Sequence, residues 1–309
     1  MSAQNWSESY PEYQPGTTLR PSKTVLLYPE GQAAGKGITE NGIQITEGPG
    51  EDNGLKGEET CSKSGNRGNI GDYARMDLYF PEKCNGQMLV VCPGGGYSFV
   101  SSFNEGTYVA EWLLARGNAV CVLKYRMPNG HRRVPLTDLQ NALRYCRYHA
   151  AGWGVSQIGV MGFSAGGHLA ASASVLYKDD MTKPDFSVLI YPRLKLSLEE
   201  KCGTRDNLLK PAPYSEEELE FWSLNALVTE QTPPTFIALS ADDGTVPATN
   251  FLPYYSALIE NKVPVDVHVY TGGGHGWGFT SERYAGQGKD KFARWRPEFE
   301  TTLDIWLKK

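Results

Sequence analysis

Residues 157–175 read QIGVMGFSAGGHLAASASV, and this stretch decides the fold. It opens as an apolar, strand-like run and ends as a small-residue helix. Between the two lies Gly162-Phe163-Ser164-Ala165-Gly166, a G-x-S-x-G in the strand-to-helix setting of a nucleophile elbow. Such a turn lifts a serine hydroxyl above the sheet. Gly162 and Gly166 stand where a side chain would collide with neighbouring backbone, and the helix N-terminus aims free N–H groups at developing negative charge. Gly, Ser and Ala are common residues, so the pattern also arises by chance; the strand before it and the helix after it give it meaning.

The same texture extends in both directions. Upstream from Tyr73 come strand-like ARMDLYF and QMLVVCP, helical EGTYVAEWLLARG, strand-like NAVCVLKYR and helical PLTDLQNALRYCRYHAA. Downstream come DFSVLIYP, PTFIALSA, helical TNFLPYYSALIENK, VDVHVYTG and a closing helix around ARWRPEFETTLDIWLKK. Several strands are near-continuous apolar runs, as in a sheet covered on both faces. Alternation with helical crossovers predicts a mostly parallel α/β sheet. Residues 193–231 break the rhythm with an acidic, proline-containing insertion expected near the site. Residues 1–70 are rich in Gly, Pro, Asn and Thr, with strand-like runs only at 23–30 and 41–46. They are expected as a loop-rich extension with one or two strands packed on the sheet, and 45–69 as surface loop. Residues 71–309 form the expected catalytic domain.

Composition narrows the function. The 309 residues are 40% hydrophobic and 21% charged, an ordinary globular balance. Lys plus Arg number 30 against 35 Asp plus Glu, a net charge of -5, so the general basic footprint of a nucleic-acid binder is absent. No run approaches the roughly 18 apolar residues that span a bilayer, so no membrane partner is expected. The opening MSAQNWSESYPEYQPG shows neither a basic n-region nor an apolar h-region, so a signal peptide is not expected within this chain. Cys92, Cys121 and Cys146 sit in apolar or helical segments and read as core. Cys61, Cys84 and Cys202 lie in polar surroundings, which leaves one disulfide among them open. No CxxC, no Cys/His cluster of zinc spacing and no HExxH occurs, so no metal is expected.

A serine hydroxyl needs a base, and the base needs an orienting group. Of five histidines, His275 lies in a glycine-rich loop, TGGGHGWG, just past the strand VDVHVY, able to swing an imidazole over the sheet edge. His268 within that strand and His168 on the elbow helix read as packing residues; His131 and His149 fall in polar or helix-end sequence. The preceding strand ends in Ala241-Asp242-Asp243-Gly244-Thr245-Val246-Pro247. Asp243, spaced D-x-x-V-P, is preferred as the acid, with Asp242 as a turn or cap residue. The order Ser164, Asp243, His275 differs from the chymotrypsin and subtilisin arrangements. Cys92-Pro93-Gly94-Gly95-Gly96-Tyr97 follows another strand and suits an oxyanion hole, with donors at Gly95 or Gly96 plus the N–H of Ala165. No GK[ST] follows, so a phosphate loop is not supported. Tyr97, Phe99, Trp222 and Trp277 are candidates to stack on sugar rings, although aromatics are more often core.

Together, GFSAGG, PGGGY, ADDGTVP and GGGHGWG resemble the α/β-hydrolase superfamily, in particular the small bacterial acetylxylan and feruloyl esterase-like (BD-FAE-type) hydrolases, over about residues 73–309. Pro93 stands where related lipases and esterases carry the histidine of HGGG. The resemblance implies an α/β-hydrolase fold with no large cap, a Ser-His-Asp mechanism and no cofactor. It also implies short acyl esters on carbohydrate, such as an acetylated oligo- or polysaccharide, as substrate. On the same ground the expected compartment is periplasmic or extracellular, with a cytoplasmic location as the alternative. An exopeptidase or arylformamidase uses the same triad, and fold alone does not separate them. The peptidases usually add a propeller domain of several hundred residues. A non-catalytic relative acting as a binding module usually lacks a member of the constellation, and here all members are present.

Overall fold

The computed structural model describes residues 19–62, 64–279 and 290–308. The first part of the expected N-terminal extension, residues 1–18, lies outside the described residues. The strands, in chain order, are β1 (Lys23–Leu26), β2 (Thr39–Glu40), β3 (Ile43–Gln44), β4 (Thr60–Cys61), β5 (Asn66–Gly68), β6 (Arg75–Tyr79), β7 (Gln87–Cys92), β8 (Phe99–Ser101), β9 (Ala119–Lys124), β10 (Gln157–Phe163), β11 (Ser187–Ile190), β12 (Thr235–Ser240) and β13 (Val265–Tyr270). The helices are α1 (Tyr108–Leu114), α2 (Val134–His149), α3 (Ala165–Val175), α4 (Gly203–Leu209), α5 (Glu216–Trp222), α6 (Leu252–Glu260) and α7 (Arg296–Leu307).

Eight strands form one sheet in the order β1-β6-β9-β7-β10-β11-β12-β13. β1 and β6 pair antiparallel at one edge, and every pair from β9–β7 onward is parallel. The central strands read as continuous apolar runs because helices bury both their faces. From β7 the chain crosses to β9 on one side, then returns to lay β10 on the other. The winding therefore reverses between β7 and β10. At such a switch point the loops leaving the carboxyl ends of the strands part and open a crevice. Those loops are PGGGY after β7 and FSAGG after β10, so topology alone brings the two glycine motifs together.

The segment before Ile70 is more deeply built in than a surface loop. β1 extends the main sheet, β4 and β5 join β8 in a separate three-stranded sheet, and Leu27, Tyr28, Ile38, Ile45 and Ile70 belong to the common core. Charges hold it there. Arg126, fully buried, pairs with Asp138 of α2 at 2.7 Å and donates to Gln32 Oε1 and to the carbonyls of Pro49 and Glu51. Glu59, also buried, is shared by Arg67 and Arg75. The 45–69 reading is corrected in part on this ground: Thr46, Asn53, Glu59 and Arg67 are buried, and the Glu59 and Arg67 charges are paired, which spares them the cost of an isolated buried charge, while Glu51, Lys56 and Glu58 stay at the surface.

Cys84, Cys92, Cys121, Cys146 and Cys202 are free thiols, so no disulfide joins Cys84 to Cys202. Cys92, Cys121 and Cys146 are buried, and so, against the polar-setting reading, is Cys202, whose sulfur accepts the Arg205 N–H and caps α4. Among the described residues no helix is long and apolar enough to cross a membrane.

Candidate active site

The elbow is built by close approach. A Cβ on Gly162 would lie 2.1 Å from the Gly166 carbonyl oxygen, and one on Gly166 only 2.0 Å from that of Cys92. With both positions bare, β10 can turn straight into α3, and Ser164 takes φ 53, ψ -118, a conformation few side-chain-bearing residues adopt. The hydroxyl is thereby raised to the mouth of the β7/β10 crevice. There it meets the loop that follows β13.

Ser164 Oγ lies 2.8 Å from His275 Nε2, and His275 Nδ1 lies 2.7 Å from Asp243 Oδ2. A carboxylate only accepts, so Nδ1 carries the proton and Nε2 accepts from the serine hydroxyl. Asp243 Oδ1 accepts the N–H groups of Thr245 and Val246, both at 2.8 Å. Burial by itself would raise the Asp243 carboxyl. The hydrogen bonds from His275, Val246 and Thr245 outweigh it and hold the group below the usual carboxylate range, so it stays ionised.

A cavity of about 500 Å³ opens above Ser164. Gly95, Gly96 and His275 line it, with Asn104 and Ser101 on one side and Thr204 and Asn207 of α4 on the other. The 193–231 insertion thus supplies one wall. Asn207 Nδ2 donates to the Gly96 carbonyl at 2.7 Å, which fixes the glycine loop against α4. The Gly94 N–H is taken by Glu105 at 2.7 Å, so Gly95 and Gly96 carry the loop donors nearest the cavity. Ala165 begins α3 immediately after Ser164. Such a site can bind an ester carbonyl, attack it and hold the negative charge that forms on its oxygen.

Two expected sugar contacts are corrected. Tyr97 is buried; its hydroxyl donates to His168 Nδ1 at 3.0 Å, and His168 Nε2–H donates to the Trp222 carbonyl. Burial pushes His168 down to about 4, so that ring stays neutral as a core brace. Trp277 is also buried, stacked on Phe292 at 3.9 Å and donating to Ser240 Oγ. Neither ring presents a face to the cavity. Phe99, half-buried, does line it. His131 meets Glu51, His149 approaches Glu40, and His268 stacks on Phe236, all away from Ser164.

Asp242, expected as a turn or cap residue, accepts the N–H groups of Gly273 and Gly274. Asn104, which no local signal in the sequence marks, donates its Nδ2–H to the Gly276 carbonyl. Among the described residues no cluster of His, Cys, Asp and Glu is arranged to hold a metal ion.

The model of the BD-FAE family matches residues 76–258. The chain is 36% identical over 214 residues to an acetylxylan esterase from Xylanibacter ruminicola, covering 67% of this chain and 44% of that protein. It is 32% identical to endo-1,4-beta-xylanase B from Butyrivibrio fibrisolvens, covering 61% and 32% respectively. The chain therefore spans less than half the length of these two relatives. Its architecture is that of a solved acetyl ester-xyloside bifunctional hydrolase from Caldicellulosiruptor lactoaceticus, at TM-score 0.67 and 26% identity over 94% of this chain and 98% of that one. The fold is the α/β-hydrolase fold.

Proposed function

The chain belongs to the BD-FAE family, and from that premise we propose that it is a serine carboxylic-ester hydrolase that removes acetyl and other short acyl groups from xylan or related plant carbohydrate. The observation that carries the reading is the unbroken chain Asp243–His275–Ser164, with contacts of 2.7 and 2.8 Å, beneath the Gly95–Gly96 loop. The names of the relatives support acetylated carbohydrate as the substrate class. The cavity also offers Asn66, Asn104, Asn207, Ser98 and Ser101 as hydrogen-bond partners for sugar hydroxyls. A substrate of this kind is met outside the cytoplasm, which is the compartment proposed.

In the first half-reaction Ser164 Oγ bonds to the acyl carbon as its proton passes to His275 Nε2. The carbonyl oxygen becomes an oxyanion held by the N–H groups of Gly95 or Gly96 and Ala165. Asp243 holds the imidazole in the productive tautomer and stabilises its cation. The C–O bond to the sugar then breaks, and the His275 proton goes to the leaving alcohol. Water next gives a proton to His275 and attacks the acyl-serine, releasing the acid and restoring Ser164.

The test is acetate release from acetylated xylo-oligosaccharides, with p-nitrophenyl acetate and butyrate as controls and Ser164→Ala as blank. Release from the oligosaccharides that disappears in the blank is expected. Hydrolysis of the nitrophenyl esters alone would remove carbohydrate from the proposal, and turnover of amide substrates in preference to esters would replace it with amidase chemistry.

A further inference from the structure

Residues Phe103–Thr107 form a single π-helical turn, a wound-in extra residue that in α-helical segments often marks a functional position. Glu105, in that turn, is buried yet lines the cavity above Ser164. Its Oε2 accepts the Gly94 N–H at 2.7 Å, and its Oε1 accepts the Tyr191 hydroxyl at 2.7 Å. The Tyr191 oxygen in turn accepts the Gly278 N–H at 2.9 Å, and the Tyr191 ring stands edge-on to the His275 ring at 4.9 Å. Tyr191 is held at φ 36, so it is fixed by these contacts and not by local preference. One carboxyl group therefore joins the glycine loop after β7 to the histidine loop after β13, two segments that share no strand pairing.

We propose that Glu105 is a positioning residue for the hydrolysis, setting the oxyanion donors and the His275 ring in register through Gly94 and Tyr191. The proposal rests on the esterase reading of Ser164. Both carboxylate oxygens accept in this arrangement. A proton on either would face Gly94 N–H, which cannot accept it, or Tyr191 Oη, which would have to surrender its own donation. The titratable groups around Glu105 are Tyr191 and Tyr125, with His275 across the cavity; Arg193 and Lys201 are the cations lining the same cavity. Arg193 is engaged by Glu200. Burial raises the Glu105 carboxyl above its ordinary range.

The experiment is steady-state hydrolysis of p-nitrophenyl acetate between pH 5 and pH 8 by the full chain and by Glu105→Gln, Tyr191→Phe and Ser164→Ala. For Glu105→Gln, kcat is expected to fall about 10- to 100-fold while KM stays within about twofold, because donors to the transition state are displaced and ground-state binding is not. Tyr191→Phe, which keeps the carboxyl but cuts its link to the histidine loop, is expected to lower kcat about fivefold. Toward the acid end the wild-type kcat is expected to fall relative to that of Glu105→Gln, which has no carboxyl to protonate at that position. Activity retained by Ser164→Ala would overturn the esterase reading itself. A silent Ser164→Ala beside wild-type kcat and acid limb in Glu105→Gln would overturn only the role of Glu105. Should Glu105→Gln not fold, Tyr191→Phe decides, and wild-type kcat there would refute the proposal.

Discussion

Asp242 Oδ1 accepts the Gly274 N–H at 2.8 Å, so the carboxylate beside the one that meets His275 holds the loop and not the ring. The two neighbours divide the work of the β12 end. Asp243 orients the imidazole, and Asp242 fixes the glycine-rich backbone from which it projects.

That division predicts unequal mutants. Asp243→Asn removes the charge and favours the wrong imidazole tautomer, so kcat is expected to fall about 10³- to 10⁴-fold. Asp242→Asn keeps one acceptor for the loop and is expected to cost about tenfold or less. Steady-state kinetics on p-nitrophenyl acetate checks the pair, and the reverse ranking would move the acid by one residue.

The burial of Tyr97 and the half-exposure of Phe99 predict another contrast. Tyr97→Phe leaves His168 Nδ1 without a donor in the core, which is expected to cost about 1–3 kcal/mol in urea unfolding with KM unchanged. Phe99→Ala is expected to leave stability nearly unaltered and to raise KM for xylo-oligosaccharides several-fold. Equal effects of both variants on KM would place Tyr97 at the sugar after all.

Acid stability is expected to depend on Asp77. Burial would raise its carboxyl, but Lys124 and Arg75 beside it pull it down to about 2, below the ordinary 3.8. A carboxyl depressed in the folded state stabilises that state fully above its unfolded pKa and loses the contribution as pH falls through the folded one. About 2 kcal/mol should therefore disappear between pH 4 and pH 2, and Asp77→Asn should lack that step. Unfolding free energies across that window measure it; a variant with the same slope would contradict the assignment.

Gly166→Ala forces a methyl group to within 2.0 Å of the Cys92 carbonyl oxygen. Because backbone and not a flexible side chain lies in the way, the expected loss exceeds about 3 kcal/mol, and esterase activity goes with it. A calorimetric Tm within a few degrees of the parent would show that the elbow can relax.

The elbow and the strands around it were legible in the sequence because their physics is local: tight turns demand glycine, and strands covered on both faces are apolar throughout. Asp243 was separable from Asp242 only by its spacing to Val246, whose N–H it accepts. Tyr97 and Trp277 misled because ring exposure depends on what arrives from far along the chain, here His168 and Phe292. The burial of Arg126 and Glu59 was hidden for the same reason, since their partners lie as much as 94 residues away. Glu105 sits in an unremarkable polar passage. Nothing local marks it, and only the meeting of the β7 and β13 loops gives it partners.

Mass mapping after reaction with a fluorophosphonate, which captures an activated serine covalently, asks whether Ser164 is the nucleophile. The expected result is one adduct per chain, on the peptide that contains Ser164, formed far more slowly when His275 is replaced by alanine. An unmodified chain, or an adduct on any other serine, would contradict the assignment of Ser164 as the nucleophile.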